Sequence, residues 1–424
     1  MQQERMSMSA GQPVAAGRFG IPYHWKLVFI LSLAFGVVFF DRNAVAFLTP
    51  YIKEALDLSA GQIGLLSSAL SLTWAISGYL IGAISDATGK RKAILVPAFV
   101  LFSLTSILSG LATSFFMLFI ARMLMGLSEG PVNPIAQSIT SANTPPEQRG
   151  MAMGVMQNFG SNLLGSFVAP LVIVGLAEAF GWRTAFYVAA IPGFIMAAII
   201  AGFVRDGVTR SNGEGGGSRI SLAGVMTLFA YRNVVLCVLI TIVGVSYMVL
   251  AWVFMPLYYI EVKGYDSHTM SWLMAILGLS AAATSFVVPW LSDRLGRKPV
   301  VVLFGLVGIF TPLSVLYFQG TPIALGCLVF VFWSVIGTLP ITMSTIPAET
   351  VPAQYLATVM GLTNGLGEAI GGVCSPAIAG FAADHYGLAA PLWIAAGCSL
   401  LIAVFGLMLQ ETAPGKTRAA TAAA

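Results

Sequence analysis

Apolar runs long enough to cross a bilayer fill most of this 424-residue chain. A transmembrane helix needs about 20 consecutive, mostly apolar residues, and the sequence contains twelve such runs with only short polar segments between them. Hydrophobic residues make up 57% of the chain and charged residues only 9%, whereas an ordinary soluble domain is roughly 25% charged. We therefore predict an all-α, polytopic membrane protein without a separate soluble catalytic domain.

The predicted spans fall into two groups of six, on either side of a polar, Gly-rich segment that reads as a flexible linker. The spans are expected at residues 25–48, 60–84, 93–113, 115–140, 150–177 and 182–204, then at 232–260, 268–291, 299–318, 321–348, 355–383 and 388–409. The resulting organisation is an N-terminal tail (1–24), a six-helix bundle (25–204), a linker (205–231), a second six-helix bundle (232–410) and a C-terminal tail (411–424).

The positions of the basic residues predict the orientation in the membrane. Of the 21 Lys and Arg residues, Arg42 and Arg122 fall within spans, and Lys53, Arg183 and Lys263 lie in loops on one side. The remaining ones lie on the side that holds both termini, so the positive-inside rule places both termini in the cytoplasm. Short loops and a sequence without glycosylation sequons favour a bacterial inner membrane.

Self-similarity between the halves indicates an internal repeat. Asp86 and Gly89 recur as Asp293 and Gly296, and the glycines of the fifth span recur at nearly the same offset in the eleventh. An even number of helices per repeat makes the two halves parallel, related by an axis along the membrane normal. Transporters built this way bind substrate near the midplane between their halves, so we expect the site there.

Several segments resemble a known family. The loops at 82–92, GAISDATGKRK, and 289–298, PWLSDRLGRK, resemble the GxxxDxxGRK signature of the major facilitator superfamily. The segments FDRNAVAF (40–47), RMLMGLSEGPVNP (122–134) and PPEQRGMAMG (145–154) are similar to its anion:cation symporter branch. The resemblance implies the major facilitator fold and coupled uptake of a small organic anion with protons. It also implies a monomer that needs no cofactor, because the proton gradient drives transport.

Three residues depart from the members of that branch that carry sugar acids. Phe39 and Trp74 stand where those members commonly carry Tyr, and Glu368 is a carboxylate near a position where they carry a neutral residue. An aromatic-lined cavity of this kind would suit an aromatic or less hydroxylated carboxylate. The expected substrates are therefore aromatic acids, sugar acids or small hydroxy acids.

Two arginines are predicted to bind the anion. An ionisable residue at a helix centre costs about 2.5 to 3.5 kcal/mol on insertion scales, so it must face a cavity or another charge. Arg42 and Arg122 are expected at similar depth, where their guanidinium groups could bind a carboxylate through bidentate hydrogen bonds. The alternative is that each arginine only neutralises a neighbouring acid.

Two acids are predicted to carry protons. Glu129 lies two helical turns from Arg122 on the same face, a spacing that suits a relay. Substrate binding to the arginine would release the acid to take up a proton. Asp41 points away from Arg42 and is the second proton site or the partner of another helix. The alternative for both acids is a permanent ion pair that fixes helix packing.

The second half is expected to supply contacts that fit the shape of the substrate. These residues are Trp252, Tyr258, Tyr259, Trp333, Asn364 and Glu368. For each aromatic residue, packing at the lipid or interface is an equally good explanation. Glu368 is protonated, pairs with an arginine of the first half or binds substrate, and the sequence does not decide among these three roles.

The two signature loops are predicted to act in gating. An Asp at a helix end beside basic residues can pair across the halves in one conformation and separate in the other. The residues assigned to gating are Gly82, Asp86, Gly89, Arg91, Asp293, Arg294, Gly296 and Arg297. Pro131 and Pro134 are expected to kink the fourth span near Glu129.

Other functions are disfavoured by missing motifs. The sequence has no Walker A motif, catalytic triad, dinucleotide fingerprint or metal-ligand spacing, and its basic loops indicate membrane orientation rather than nucleic-acid binding. The competing hypotheses are a proton-coupled drug exporter of the same superfamily and a non-transporting receptor or intramembrane enzyme. Paired arginines argue against export of cations, and the missing nucleophile argues against an enzyme.

Overall fold

The computed structural model describes residues 22–145, 148–204, 227–352 and 355–413. In these ranges the chain forms twelve helices that are long and apolar enough to span a membrane, as predicted. The helices are α1 (Tyr23–Leu56), α2 (Ala60–Ser85), α3 (Arg91–Gly110), α4 (Phe115–Asn143), α5 (Met151–Phe180), α6 (Trp182–Phe203), α7 (Arg232–Val262), α8 (Ser267–Leu295), α9 (Arg297–Tyr317), α10 (Pro322–Thr350), α11 (Thr358–Tyr386) and α12 (Ala389–Met408). Most of the predicted linker and tails lies outside the described residues.

The end of α1 shows why a helix can be longer than the apolar run that predicts it. The apolar run predicts an end at residue 48, whereas α1 continues through Pro50 to Leu56 and ends at Asp57 in the left-handed conformation (φ 50°). The extra turns carry polar residues such as Lys53, so a prediction based on hydropathy ends the helix too early. Next, α2 begins with a capping box, in which Ser59 and Gln62 bond each other's backbone N–H groups.

Helix α4 is interrupted beside a predicted proton site. Its first segment ends at Glu129 and its second begins at Val132, with Pro131 between them. Gly126 and Gly130 lie directly against the backbone of α2, where an added Cβ would overlap α2 atoms. Glu129, at the end of the first segment, is fully buried.

Helices α5 and α11 each contain wide, π-helical turns. The turns span Val155–Phe159 and Ser161–Val168 in α5 and Gly367–Gly372 in α11. These two helices are the repeat counterparts of each other, and π turns are frequent at functional sites. A π turn rotates the following side chains relative to a regular helix, so faces predicted from 3.6-residue periodicity are displaced there.

The two halves are joined near one end of the bundle. We call the end where α1 begins and α12 ends the terminal face, and the opposite end the distal face. The largest buried apolar cluster contains residues of both halves, including Phe47 and Phe254. Two further clusters each belong to a single half, one around Leu31 and Phe99 and the other around Val351. The halves therefore share a core on the distal side and have separate cores at the terminal face.

Backbone contacts between the halves are close on the distal side. Gly64 of α2 lies against the carbonyl group of Pro376 in α11, and Gly278 of α8 lies against the backbone of Ser166 in α5. At both glycines an added Cβ would overlap backbone atoms of the other half. Small residues at these points allow the helices to approach closely, as is common in membrane proteins.

Polar contacts also connect the halves at the distal face. The Asp384 carboxylate accepts hydrogen bonds from the Ser59 hydroxyl (2.9 Å) and from the backbone N–H groups of Ala60 (2.8 Å) and Gly61 (2.9 Å). It thus caps α2 from the opposite half. Lys53 and Glu261 form an ion pair of 2.6 Å between α1 and α7. These contacts close the distal side of the interface.

Candidate functional site

A cavity of about 170 Å³ lies between the two halves. Both halves line it, the first through α1, α2, α4 and α5 and the second through α7, α8, α10 and α11. The lining residues are Phe39, Arg42, Asn43, Val45, Ala46, Leu66, Ser67, Leu70, Ser71, Arg122, Ser161, Asn162, Ser166, Met248, Val249, Trp252, Val253, Ala281, Trp333, Ile336 and Glu368. The walls are mostly apolar, with a few charged and polar groups, as in many small-molecule sites.

Arg42 is the cationic group most open to this cavity. Its side chain is half-buried, and its guanidinium carbon lies 5.5 Å from the centre of the Phe39 ring and 5.2 Å from that of Trp74. Both rings attract the cation through their negative faces. Within the described part of the chain, Arg42 has no ion-pair partner closer than 4.0 Å. The aromatic rings thus hold a guanidinium whose hydrogen-bond donors are free for a ligand.

Arg122 lies deeper in the first half. Its side chain is 1% exposed, one Nη donates to the Ser109 hydroxyl at 3.2 Å, and its guanidinium carbon lies 5.8 Å from the Phe186 ring centre. Asp41, Glu129 and Arg42 all act on it electrostatically. The two arginines therefore belong to one site: both line the cavity, Arg42 with a half-buried side chain and Arg122 with an almost fully buried one.

Asp41 is fully buried beside Arg122 and bonded to a serine. The Ser106 Oγ lies 2.6 Å from Asp41 Oδ1 and 3.1 Å from the carbonyl oxygen of Phe186. The hydroxyl has one proton, which it can donate to either oxygen. The second carboxylate oxygen of Asp41 has no hydrogen-bond partner among the described residues. The Asp41 carboxyl group can therefore keep its hydrogen bond to Ser106 whether it is ionised or protonated.

Glu129 is fully buried, and neither of its carboxylate oxygens has a hydrogen-bond partner in the described ranges. It does not line the cavity, but Arg42, Asp41 and Arg122 act on it electrostatically. The relay predicted between Arg122 and Glu129 requires such proximity without a direct bond.

Glu368 is the only cavity-lining carboxylate contributed by the second half among the described residues. It lies in the π-helical turn of α11, and its Oε2 faces Gly372, where an added Cβ would come within 3.2 Å of it. Arg42 acts on Glu368 electrostatically, although the two form no ion pair within 4.0 Å. The pairing with a first-half arginine, which was one of three predicted roles, is therefore absent from this conformation.

The aromatic residues predicted to contact substrate separate into two groups. Phe39, Trp252 and Trp333 line the cavity. Trp252 packs edge-on to Phe47, and Trp333 stacks on Tyr247, so both rings are held firmly. Trp74 lies outside the lining, where its ring supports Arg42.

Three other residues predicted to contact substrate lie outside the cavity lining. Tyr258 and Tyr259 occupy the distal end of α7, where a π turn begins and Tyr259 stacks on Tyr265. Asn364 bonds the carbonyl group of Met360 in its own helix at 2.8 Å. The amide also donates to the carbonyl group of Met343 in α10 at 3.5 Å, so both contacts lie within the second half.

Comparison with known proteins identifies the family. The model of the Major Facilitator Superfamily matches residues 31–373. The chain belongs to this superfamily. It is 27% identical over 410 residues to the hexuronate transporter of Bacillus subtilis (88% of this chain, 90% of that protein). It is 27% identical over 408 residues to a probable 4-methylmuconolactone transporter of Cupriavidus pinatubonensis (93% and 92%).

A solved transporter structure has a fold similar to that of this major facilitator protein. A bacterial homolog of the human lysosomal transporter Spinster, in an inward-facing and unoccupied conformation, superposes with a TM-score of 0.71 at 20% identity. The match covers 91% of this chain and 95% of that one. Family and relatives are transporters, so the chain is a transporter-family protein rather than an enzyme.

Several polar residues of the major facilitator cavity were not predicted. Asn43 follows Arg42 directly and donates to the carbonyl group of Gly165 at 3.0 Å. Ser161, Asn162 and Ser166 line the cavity from the π-helical turns of α5. The run of glycines around them in the sequence is a usable signal, because closely spaced glycines in a span allow irregular turns.

The residues predicted to act in gating lie at the terminal face of the major facilitator fold. Arg297 pairs with Asp293 (2.5 Å) and Glu349 (2.8 Å), both in its own half, and Arg294 stacks on Trp290. Gly89 and Gly296 adopt positive φ angles, Gly82 lies beside Pro134, and Arg91 begins α3. The side chain of Asp86 lies outside the described residues. Pairing across the halves therefore stays a prediction for another conformation.

Proposed function

We propose that this major facilitator protein imports an organic anion together with protons by alternating access. The observation that carries the proposal is Arg42, a half-buried guanidinium in a cavity between the halves that forms no ion pair with any described residue. Arginine binds carboxylates bidentately, and a water-poor cavity strengthens that bond. Relatives named for hexuronate and 4-methylmuconolactone transport support a carboxylate-bearing substrate.

The chemistry of Asp41 supports proton coupling. When Asp41 is ionised, it accepts the Ser106 hydroxyl proton; when it is protonated, it can donate to Ser106 Oγ, whose own proton then turns to the Phe186 carbonyl oxygen. The hydrogen bond between Asp41 Oδ1 and Ser106 Oγ is thus kept in both states, which lowers the cost of changing protonation.

Glu129 supplies the second part of the coupling. A buried carboxylate without hydrogen-bond donors is costly when ionised, and Glu129 has no such donor in the described structure. We assign it a proton in this conformation. A substrate carboxylate that engages Arg42 weakens the attraction of that arginine for Glu129 and favours the protonated form further.

The packing of the halves supports a state that opens at the terminal face. The shared apolar core and the Asp384 cap close the distal side, whereas the cores at the terminal face are separate. With the termini in the cytoplasm of a bacterial inner membrane, this is an inward-facing state. Movement of the two halves about the cavity would expose Arg42 to the other side. We propose a monomer without a cofactor.

The proposal is tested with purified protein and then with proteoliposomes. Thermal unfolding is measured against aromatic acids, sugar acids, short hydroxy acids and cationic drugs, for the wild type and for Arg42→Ala and Arg122→Ala. A ligand that binds the folded state raises the unfolding temperature by mass action. We expect stabilisation by carboxylates that Arg42→Ala abolishes.

Uptake of the stabilising acid is then measured with and without an inward proton gradient. We expect the gradient to drive accumulation in the wild type but not in Glu129→Gln, which should still exchange substrate across the membrane. Stabilisation by cationic drugs alone would overturn the proposal in favour of a drug exporter. A stabilising acid that is taken up equally with and without the gradient would remove proton coupling.

A further inference from the structure

Glu368 changes the charge balance of the cavity. The first half contributes two cations, Arg42 and Arg122, and two acids, Asp41 and Glu129, which act on one another within that half. Glu368 adds a third acid from the second half, whose described residues contribute no cationic group to the lining. A ligand that is only a carboxylate would satisfy Arg42 and leave Glu368 without a partner when the cavity closes.

The position of Glu368 places it across the interface from Arg42. Arg42 belongs to α1 of the first half and Glu368 to α11 of the second, and both line the same cavity without an ion pair between them. The other walls of the cavity are mainly apolar and aromatic and include Phe39 and Trp252. A ligand with one polar group at each end could therefore contact both residues and connect the two halves.

The local backbone keeps this carboxylate directed at the cavity. The π-helical turn of α11 carries Glu368, and Gly372, one turn later, leaves the space that its Oε2 faces. On the first half, the matching π-helical turns of α5 carry neutral Ser161 and Asn162. The carboxylate is thus specific to the second half, and no symmetry of the fold requires it.

We propose that Glu368 determines specificity by accepting a hydrogen bond from the substrate. The preferred substrate class, within the organic-anion transport proposed above, is a carboxylate that carries a hydroxyl or ammonium donor at its opposite end. Arg42 binds the carboxylate, the aromatic walls enclose the body, and Glu368 accepts from the donor. Desolvation on closure penalises an acceptor that is left unpaired, so substrates without the donor are rejected.

The test compares ligands of similar size that differ at one group. The probes are 4-methylbenzoate, 4-hydroxybenzoate and 4-(aminomethyl)benzoate, and the same three substituents on phenylacetate, which is one methylene longer. Affinity for the purified full chain is measured by isothermal titration calorimetry. In at least one series, we expect the hydroxyl or ammonium probe to bind about 10- to 100-fold more tightly than the methyl probe, as for hydrogen bonds to a charged group.

Variants separate the contribution of Glu368. Glu368→Leu should remove the preference for the donor while keeping the affinity for the methyl probe. Glu368→Gln should keep part of the preference for the hydroxyl probe over the methyl probe and should lose the preference for the ammonium probe. Glu178→Gln, which changes an exposed glutamate at the distal end of α5, should bind all probes as the wild type does.

Two failures are distinguishable. If methyl probes bind in an Arg42-dependent manner and neither series shows a donor preference, or if Glu368→Leu keeps that preference, the role of Glu368 is wrong while anion binding stands. If no carboxylate binds the wild type, or if Arg42→Ala binds all probes equally well, the proposed function itself fails.

Discussion

Replacing Gly64 by alanine is expected to open the distal face. In this conformation Gly64 lies against the carbonyl group of Pro376 across the interface, and an added Cβ would overlap that backbone. Backbone atoms of two packed helices cannot move aside as a flexible side chain can. The methyl group is tolerated only if α2 and α11 separate, which is the movement that exposes the cavity at the distal face.

The size of the effect follows from the packing. Forcing an extra carbon into a close-packed contact costs about 1 to 3 kcal/mol. This energy corresponds to a decrease of about 5- to 150-fold in the ratio of distal-closed to distal-open molecules. The higher helix propensity of alanine, about 1 kcal/mol, acts in both conformations and leaves the ratio unchanged.

The ratio can be measured by double electron–electron resonance between the halves. Spin labels are placed at Glu54, at the distal end of α1, and at Tyr386, at the distal end of α11, both exposed. The exposed Cys327 and Cys374 are first replaced by serine, whereas Cys237 and Cys398 are buried and can stay. Gly64→Ala should increase the population with the longer distance.

Gly305→Ala is the matched control. Gly305 of α9 lies against the backbone of Ala403 in α12, and both belong to the second half. This substitution should lower the unfolding temperature without changing the distance distribution. An unchanged distribution in Gly64→Ala, or an equal shift in Gly305→Ala, would refute the assignment of Gly64 to the contact that opens.

Other contacts give further expectations. Asp384→Ala removes the cap that the second half places on α2. The lost cap should shift the equilibrium toward distal-open molecules by roughly 0.5 to 2 kcal/mol in the same distance measurement. An unchanged distribution would contradict this. Trp74→Leu removes one aromatic face from Arg42 and should weaken carboxylate binding in calorimetry by about 0.5 to 2 kcal/mol, whereas Trp393→Leu, on the exposed side of α12, should not. Glu411→Gln weakens the bonds to the backbone N–H groups of Arg297 and Lys298 and should lower the unfolding temperature while calorimetric affinities stay at wild-type values; a loss of affinity would show that this end of the chain reaches the site.

The fold could be predicted because the bilayer imposes a simple rule. Each span must be apolar for about 20 residues, and the twelve runs appear in the structure as twelve helices. The few ionisable residues within the spans were equally visible, since each must face a cavity or another charge. Asp41, Arg42, Arg122 and Glu129 lie close enough to act on one another electrostatically, and their roles in binding and proton transfer stay predictions.

The aromatic contacts could not be placed in the same way. In a helix that is apolar on all sides, periodicity does not distinguish the face toward the cavity from the face toward the core. Trp252 and Tyr259 lie two turns apart in α7, yet Trp252 lines the cavity and Tyr259 stacks on Tyr265 at the distal end. The role of Glu368 was undetermined for another reason: its distance from Arg42 depends on how the two halves are arranged.

In the proposed symport, coupling between anion and proton needs no contact between them. Arg42 acts electrostatically on Glu129 in its own half and on Glu368 in the other, so a ligand at Arg42 alters both acids. Thermodynamic linkage makes the effect reciprocal: if the bound carboxylate favours a proton on Glu129, that proton tightens carboxylate binding by the same factor. Arg122 is more deeply buried than Arg42, and Asp41 and Glu129 both act on it. In the proposed mechanism, a substrate bound at the more exposed Arg42 changes the electrostatics of the acids without displacing them.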